Sequence, residues 1–209
     1  MDYLPTIQPN ISASLQKQRE EALARGIPVA DDDTLQFLLV TLLIKRPLRI
    51  LEIGTAVGLS GIAMLQTCPQ ARLTTIELEE ERYLEAKQNF AKFGVADRVV
   101  AYLGDAGEIL TMMDGEFDFV FLDGPKAQYE KYLFDLKRLM RKGSVLFADD
   151  VLLYGWVNGK EPTPQKRRSI VEKIRSYLDT IAKDTDFTTS IVDIGDGVAL
   201  SVYQGGKEA

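Results

Sequence analysis

The chain has 209 residues, 45% hydrophobic and 27% charged, enough for one sizeable core and short for two full domains. It contains no histidine and a single cysteine, which excludes Ser-His-Asp triads, Cys-His dyads, HExxH sites, intrachain disulfides and cysteine-built zinc sites. The net charge of −6 argues against general nucleic-acid binding. Residues 121–175 nevertheless hold 12 Lys and Arg against 7 Asp and Glu, so a local basic face on an acidic body is expected.

No apolar run approaches the ~18–20 residues of a membrane span. The opening MDYLPTIQPN lacks the basic-then-apolar pattern of a secretory leader, and a cytoplasmic protein is the expectation. Ile11–Arg25 has helix-forming composition and should stop at Gly26, with Pro28 just beyond. A second helix starts after Asp31–Asp33, whose carboxylates suit a helix N-terminus, and stops before Pro47.

From there strands and helices alternate. RILEIG is a strand, followed by a glycine-containing turn and the helix SGIAMLQTC, in which Cys68 reads as a small core residue. ARLTTIEL is a second strand, and EERYLEAKQNFAKFG is a helix closed by Gly94. RVVAYLGD and FDFVFLDG are the third and fourth strands. YEKYLFDLKRLMRKG is expected to be a helix ending at Gly143, with SVLFADD as a fifth strand. The long helix TPQKRRSIVEKIRSYLDTIAKD follows, and FTTSIVDIGDGVALSVYQ reads as a hairpin about Gly195-Asp196-Gly197. This order predicts a doubly wound α/β fold: a mostly parallel sheet covered by helices on both faces, closed by an antiparallel hairpin. The chain then divides into an N-terminal helical extension (1–46) on a Rossmann-like core (47–209).

In such sheets ligands bind beyond the carboxyl ends of the strands, so the residues there carry the functional reading. Strand one runs through Glu52 and Ile53 into Gly54, Thr55, Ala56, Val57, Gly58, Leu59 and Ser60. Its glycines allow close backbone approach, and the next helix offers unpaired N–H groups. A dinucleotide fingerprint would need a glycine where Ala56 stands. A nucleoside ligand without a pyrophosphate, such as S-adenosylmethionine, removes that need. Strand two ends in Glu77, which can accept both hydroxyls of a ribose. Strand three ends in Gly104-Asp105-Ala106, where an Asp can accept from an exocyclic amine.

A second, acidic set ends strands four and five: Asp123, then Asp149 and Asp150. Converging carboxylates repel unless a cation sits among them, and oxygen-only ligation suits Mg²⁺ or Ca²⁺. Either of Asp149 and Asp150 alone could instead cap the segment that follows. Lys126 stands three residues after Asp123 and could be an ordinary solvated lysine. In a partly dry site beside a metal its pKa would fall, making it a candidate general base.

Taken in order, LEIGTAVGLS, TTIELEEERYLEAKQNF, GDA, FVFLDGPKAQY and ADDVLLYGWV resemble the cation-dependent class I O-methyltransferases, the group of catechol and caffeoyl-CoA O-methyltransferases. The resemblance spans the chain from Leu35 to the final hairpin and implies S-adenosylmethionine as cofactor. Gly54, Thr55, Gly58 and Ser60 would hold its methionine part, Glu77 its ribose, and Asp105 and Ala106 would lie near its adenine, with Glu52 and Asp123 also in the cofactor site. Asp123, Asp149 and Asp150 would hold the divalent cation, Mg²⁺ first, and Lys126, with Asp123, would be catalytic. Tyr129 matches a position near the pocket, with a packing role as the alternative. The family usually has Asn where this chain has Asp150.

Within the family, ADDVLLYGWV, PQKRRSIVEKIRSYL and VDIGDGVALS are most similar to bacterial enzymes that methylate 5-hydroxyuridine of tRNA. That likeness implies a phosphate-binding face of Lys166, Arg167, Arg168, Lys173 and Arg175. From charge alone these residues read equally as a solvated helix face. A small catechol-like phenol, received by Tyr154 and Trp156, is the alternative acceptor, and a non-catalytic nucleoside-binding module is the alternative of another class. The family likeness also implies a homodimer formed through the N-terminal helices.

Overall fold

The computed structural model describes residues 8–205, so most of the opening segment considered for a leader lies outside the described residues. Helix α1 (Ala13–Ala24) begins at Ser12, whose hydroxyl accepts from the Leu15 N–H. Helix α2 (Asp32–Lys45) is capped by Asp31, which accepts from Thr34 N–H at 2.8 Å, and ends where Arg46 turns left-handed before Pro47. The alternating part is β1 (Arg49–Ile53), α3 (Leu59–Thr67), β2 (Arg72–Glu77), α4 (Glu80–Lys92), β3 (Val99–Leu103), α5 (Ala106–Met112), β4 (Phe117–Leu122), α6 (Tyr129–Leu139) and β5 (Met140–Ala148). Helix α7 (Arg168–Lys183) and the hairpin of β6 (Phe187–Val192) and β7 (Val198–Tyr203) complete it.

The seven strands lie in the order β3-β2-β1-β4-β5-β7-β6. The first five are parallel, and β7 pairs antiparallel with both β5 and β6. The chain winds outward from β1 through β2 to β3, then returns to place β4 and β5 on the other side of β1. The crevice between β1 and β4 is therefore the switch point at which ligands bind. Every residue of β4 is buried, as both-face coverage requires. One face packs Leu136, Tyr177 and Ile181 of α6 and α7 against Val120 and Leu146. The other packs Leu38, Ile62 and Phe90 of α2, α3 and α4 against Phe119 and Phe147.

Several boundaries differ from the sequence reading, among them the start of α7, which is Arg168 rather than Thr163 because Gln165–Arg167 form a 3₁₀ turn. Helix α5 was not anticipated: it has only seven residues and is capped by Asp105, whose carboxylate accepts from Glu108 N–H. Helix α6 ends at Leu139 rather than Gly143. Met140 already pairs with Phe117, and Arg141 forms an ion pair with the buried Asp118, so strand pairing takes over four residues early. The glycine that looks like a helix stop lies instead inside β5. No helix among the described residues is long and apolar enough to cross a membrane.

The final hairpin does more than close the sheet. Val151 and Leu152 donate backbone hydrogen bonds to Gly197 and Asp196, and Arg175 from α7 donates to the carbonyls of Trp156 and Val157. Residues 151–160, without regular structure of their own, are thus pinned from two sides. Gly197 is required there because a side chain would overlap Leu152.

Candidate active site

At the switch point a cavity of about 360 Å³ opens above the ends of β1, β2, β3 and β4. Gly54, Glu77, Asp105, Ala106, Asp123, Lys126 and Asp150, all expected from sequence, line it together. Thr55 and Ser60 line a small recess behind it, which shares Pro28, Gly54, Ala56 and Asp123 with the main cavity. Glu52, Gly58 and Asp149 line neither. Gly58 is the left-handed residue that starts α3, packed against the ring of Phe90.

Glu52 lies beneath the turn, fully buried, and its two carboxylate oxygens accept from Ser60 Oγ and Thr75 Oγ1, each at 2.6 Å. Thr75 is in turn hydrogen-bonded to Thr55. One side chain thus ties together both limbs of the turn and β2. Burial pushes the Glu52 carboxyl up to about 7, against the two hydroxyl hydrogen bonds that favour its charged form and with help from the negative charges of Asp123 and Glu77. Its place in the structure is that of a brace for the turn.

Glu77 reaches into the cavity from the end of β2, accepting from Ala56 N–H at 2.7 Å and from Glu79 N–H at 3.0 Å. Both oxygens are fixed by backbone donors, and each keeps a second lone pair for a ligand hydroxyl. Asp105 lines the cavity while capping α5, so one carboxylate serves both roles. Pro28, Leu78, Arg82 and Tyr132 are also in the lining and were not expected. Leu78 is exposed despite being apolar, and that follows Glu77 in sequence as the one available signal.

At the β4 and β5 ends, Lys126 Nζ lies 2.6 Å from Asp123 and 2.8 Å from Asp150. Burial works to lower the ammonium pKa, but attraction to Tyr129, Asp123 and Asp150 outweighs it, and the group stands well above its ordinary value. In this arrangement two carboxylates hold the charge in place. Asp149 is buried, and its Oδ1 accepts from the Asp150 N–H. Burial, then repulsion from Asp123 and Asp150, raises its carboxyl well above the usual range. Asp150 adopts φ of 57°, a conformation that Asp tolerates better than most residues.

Among the described residues no three of His, Cys, Asp and Glu are grouped as a metal site. The donor chemistry of Asp123, Asp149 and Asp150 fits a hard cation. Two of the three carboxylates are paired with Lys126, so a cation would have to take them from the ammonium. Tyr129 lies beneath, fully buried, its hydroxyl donating toward the carbonyls of Leu122 at 3.0 Å and Asp149 at 3.1 Å. It is a packing residue that joins the ends of β4 and β5.

The O-methyltransferase family model matches residues 8–203, which is nearly the whole chain. The chain belongs to the O-methyltransferase family. A Mycobacterium marinum relative bearing an O-methyltransferase name is 33% identical over 73% of this chain and 68% of its own length. Among solved structures, the O-methyltransferase TomG from Streptomyces achromogenes, involved in tomaymycin synthesis and solved with SAM, superposes with a TM-score of 0.81. It is 28% identical and covers 94% of this chain and 92% of its own. The Bacillus cereus O-methyltransferase, solved with SAH, has a TM-score of 0.79 at 25% identity, covering 92% and 91% of the two chains. Membership explains why the O-methyltransferase fold places its acidic and glycine-bearing strand ends around one cavity.

The basic set on α7 and the turn just before it divides. Lys166, Arg167, Arg168 and Lys173 are exposed and form no ion pair among the described residues. Arg175 is committed to the loop carbonyls of Trp156 and Val157. Tyr154, 63% exposed, packs on Trp156 with ring centroids 5.0 Å apart on that same loop.

Proposed function

We propose that this O-methyltransferase uses S-adenosylmethionine to methylate a hydroxyl, with the 5-hydroxyuridine of tRNA as its acceptor. The observation that carries the cofactor reading is the sharing of one cavity by Gly54, Glu77, Asp105, Asp123 and Lys126. When bound, S-adenosylmethionine supplies an electrophilic methyl group on a sulfonium. Glu77 would hold the ribose hydroxyls, Asp105 and Ala106 the adenine edge, and the turn from Gly54 to Ser60 the methionyl end. The protein's remaining task is to align the acceptor oxygen and deal with its proton. Lys126 is the residue for that oxygen. Its charge, kept by Asp123 and Asp150, stabilises an oxyanion, and service as a base requires those carboxylates to be drawn off it. A divalent cation held by Asp123, Asp149 and Asp150 would supply the positive charge that lowers the hydroxyl pKa.

The tRNA reading is supported by the start of α7. That helix has no side-chain cap and no acidic residue in its first turn, and Lys166, Arg167 and Arg168 crowd its N-terminus. Cations there oppose the helix dipole, a cost that a bound phosphate offsets. Tyr154 on the adjoining loop provides a stacking surface. Nucleoside mass spectrometry of tRNA from a strain lacking the protein tests this: loss of the methylated 5-hydroxyuridine is expected, and an unchanged nucleoside profile sinks the tRNA reading. The Arg167→Ala/Arg168→Ala variant should impair methylation of tRNA while sparing a small phenol.

A small phenol is the second reading, favoured by the acidic surroundings of the cavity mouth. Asp196 of the hairpin turn has its carboxyl raised by burial and by the nearby charges of Asp150 and Asp31. These carboxylates would repel a polyanion. Methyl transfer to catechol with none to tRNA would decide for it. A homodimer through α2 is supported by the exposure of Val40, Leu43 and Ile44, with Leu48 following, and sedimentation equilibrium tests it.

A further inference from the structure

The recess behind the turn is roofed by Pro28, Val29 and Ala30, the joint between α1 and α2. These residues have no regular structure of their own. What fixes them is Arg19. Its side chain is 4% exposed, and its guanidinium donates to the Ala30 carbonyl at 2.6 Å and to Gln16 at 3.2 Å while pairing with Asp32 at 2.7 Å. One buried cation therefore binds α1, the joint and the first turn of α2. Helix α1 is itself fixed to the body by Leu15 and Ala22 and by the two-pronged pairing of Arg25 with Glu85 on α4.

Burying a guanidinium is costly unless its donors are met, and packing α1 alone would need only an apolar side chain at this position. The planar fork serves another end: it fixes a backbone carbonyl and a carboxylate at once, which Lys cannot do with the same geometry. Arg19 also lines the recess, together with Gly54, Thr55 and Ser60.

We propose that Arg19 is the positioning residue of the cofactor's methionyl end, holding the joint so that Val29 and Ala30, which line the recess and not the main cavity, roof the amino-acid part. This rests on the cofactor reading given above. The test compares two probes on the full chain, S-adenosylhomocysteine and 5′-methylthioadenosine, which share the adenosine end and differ in the amino-acid end. Calorimetric titration of the parent, Arg19→Ala and Arg19→Lys is the measurement. Arg19→Ala should weaken S-adenosylhomocysteine about tenfold or more while 5′-methylthioadenosine changes by less than about twofold, and Arg19→Lys should fall between. Equal loss for both probes, or loss for neither, overturns the proposal. If Arg19→Ala does not fold by circular dichroism, Arg19→Lys carries the same comparison with a selective loss of about threefold, and its absence overturns the proposal. A parent protein that binds neither probe overturns the cofactor reading itself, an outcome distinct from an unselective Arg19 effect.

Discussion

Gly54, at φ of 99°, lies against the backbone of Asp123, so close that a methyl group on it would overlap the carbonyl and come within 2.7 Å of its carbon. The turn after β1 and the acidic end of β4 are thus in direct backbone contact, and the main cavity is lined by both. Gly54→Ala adds a strained φ to this overlap and should destabilise the fold by ~3 kcal/mol, with loss of S-adenosylhomocysteine binding. Thermal denaturation and titration check it. A variant of parental stability and affinity would mean that the two segments are separable.

Glu52 couples the turn to pH. Its folded-state pKa of about 7 stands above the ordinary value of 4.5, so the folded chain holds this proton more tightly than the unfolded one. Stability is therefore lost as pH rises from 4.5 to 7, by about 3 kcal/mol in all, and is level above that window. Glu52→Gln keeps the shape without the charge. The variant should match the parent near pH 5 and exceed it near pH 8 in denaturant midpoint. Parallel pH profiles of the two proteins would refute the assignment.

Tyr129 holds the ends of β4 and β5 through two carbonyls, and its ring lies 5.6 Å from Lys126 Nζ. Tyr129→Phe removes the hydroxyl and leaves the ring. We expect about 1 kcal/mol of lost stability and a several-fold lower kcat, with cofactor affinity unchanged. Equal loss of cofactor affinity would show that the whole cavity had shifted, contrary to this expectation.

A divalent cation bound here would compete with Lys126 for Asp123 and Asp150. Lys126→Met removes the internal charge while keeping the length of the side chain. It should abolish methyl transfer and tighten Mg²⁺ or Mn²⁺ binding, measured by calorimetry, about tenfold or more. Unchanged cation affinity would show that the carboxylates do not hold a metal, as would a parent rate indifferent to chelation.

Most of the fold was legible because it rests on local patterns: apolar strands, glycine stops and Pro47 mark β1 to β4 and the flanking helices plainly. Helix α5 escaped because Ala106–Met112 is barely two turns long and its capping Asp105 also reads as a ligand contact. The end of α6 escaped because the partner that recruits Met140 into the sheet, Phe117, is far away in sequence. The strand-end carboxylates were legible through topology, since α/β sheets aim those positions at one crevice. Their partners were not. That Lys126 would close on Asp123 and Asp150, or that Arg175 would serve the loop carbonyls instead of remaining free, depends on side-chain packing that spacing does not encode. Arg19 gave no signal at all: in QKQREEALAR it is one charge among many, and only the arrival of Ala30 and Asp32 buries it.

The last strand of the sheet, β7, lies between β5 and β6, and the turn that precedes it holds residues 151–160 in place. A chain emerging from the ribosome therefore makes β6 before there is anything for it to pair with. The segment 151–160, already held by Arg175 of α7, gains its second anchor only when Asp196 and Gly197 have been made. The far edge of the sheet is therefore completed last, with residues 198–203 filling the place between two strands already made.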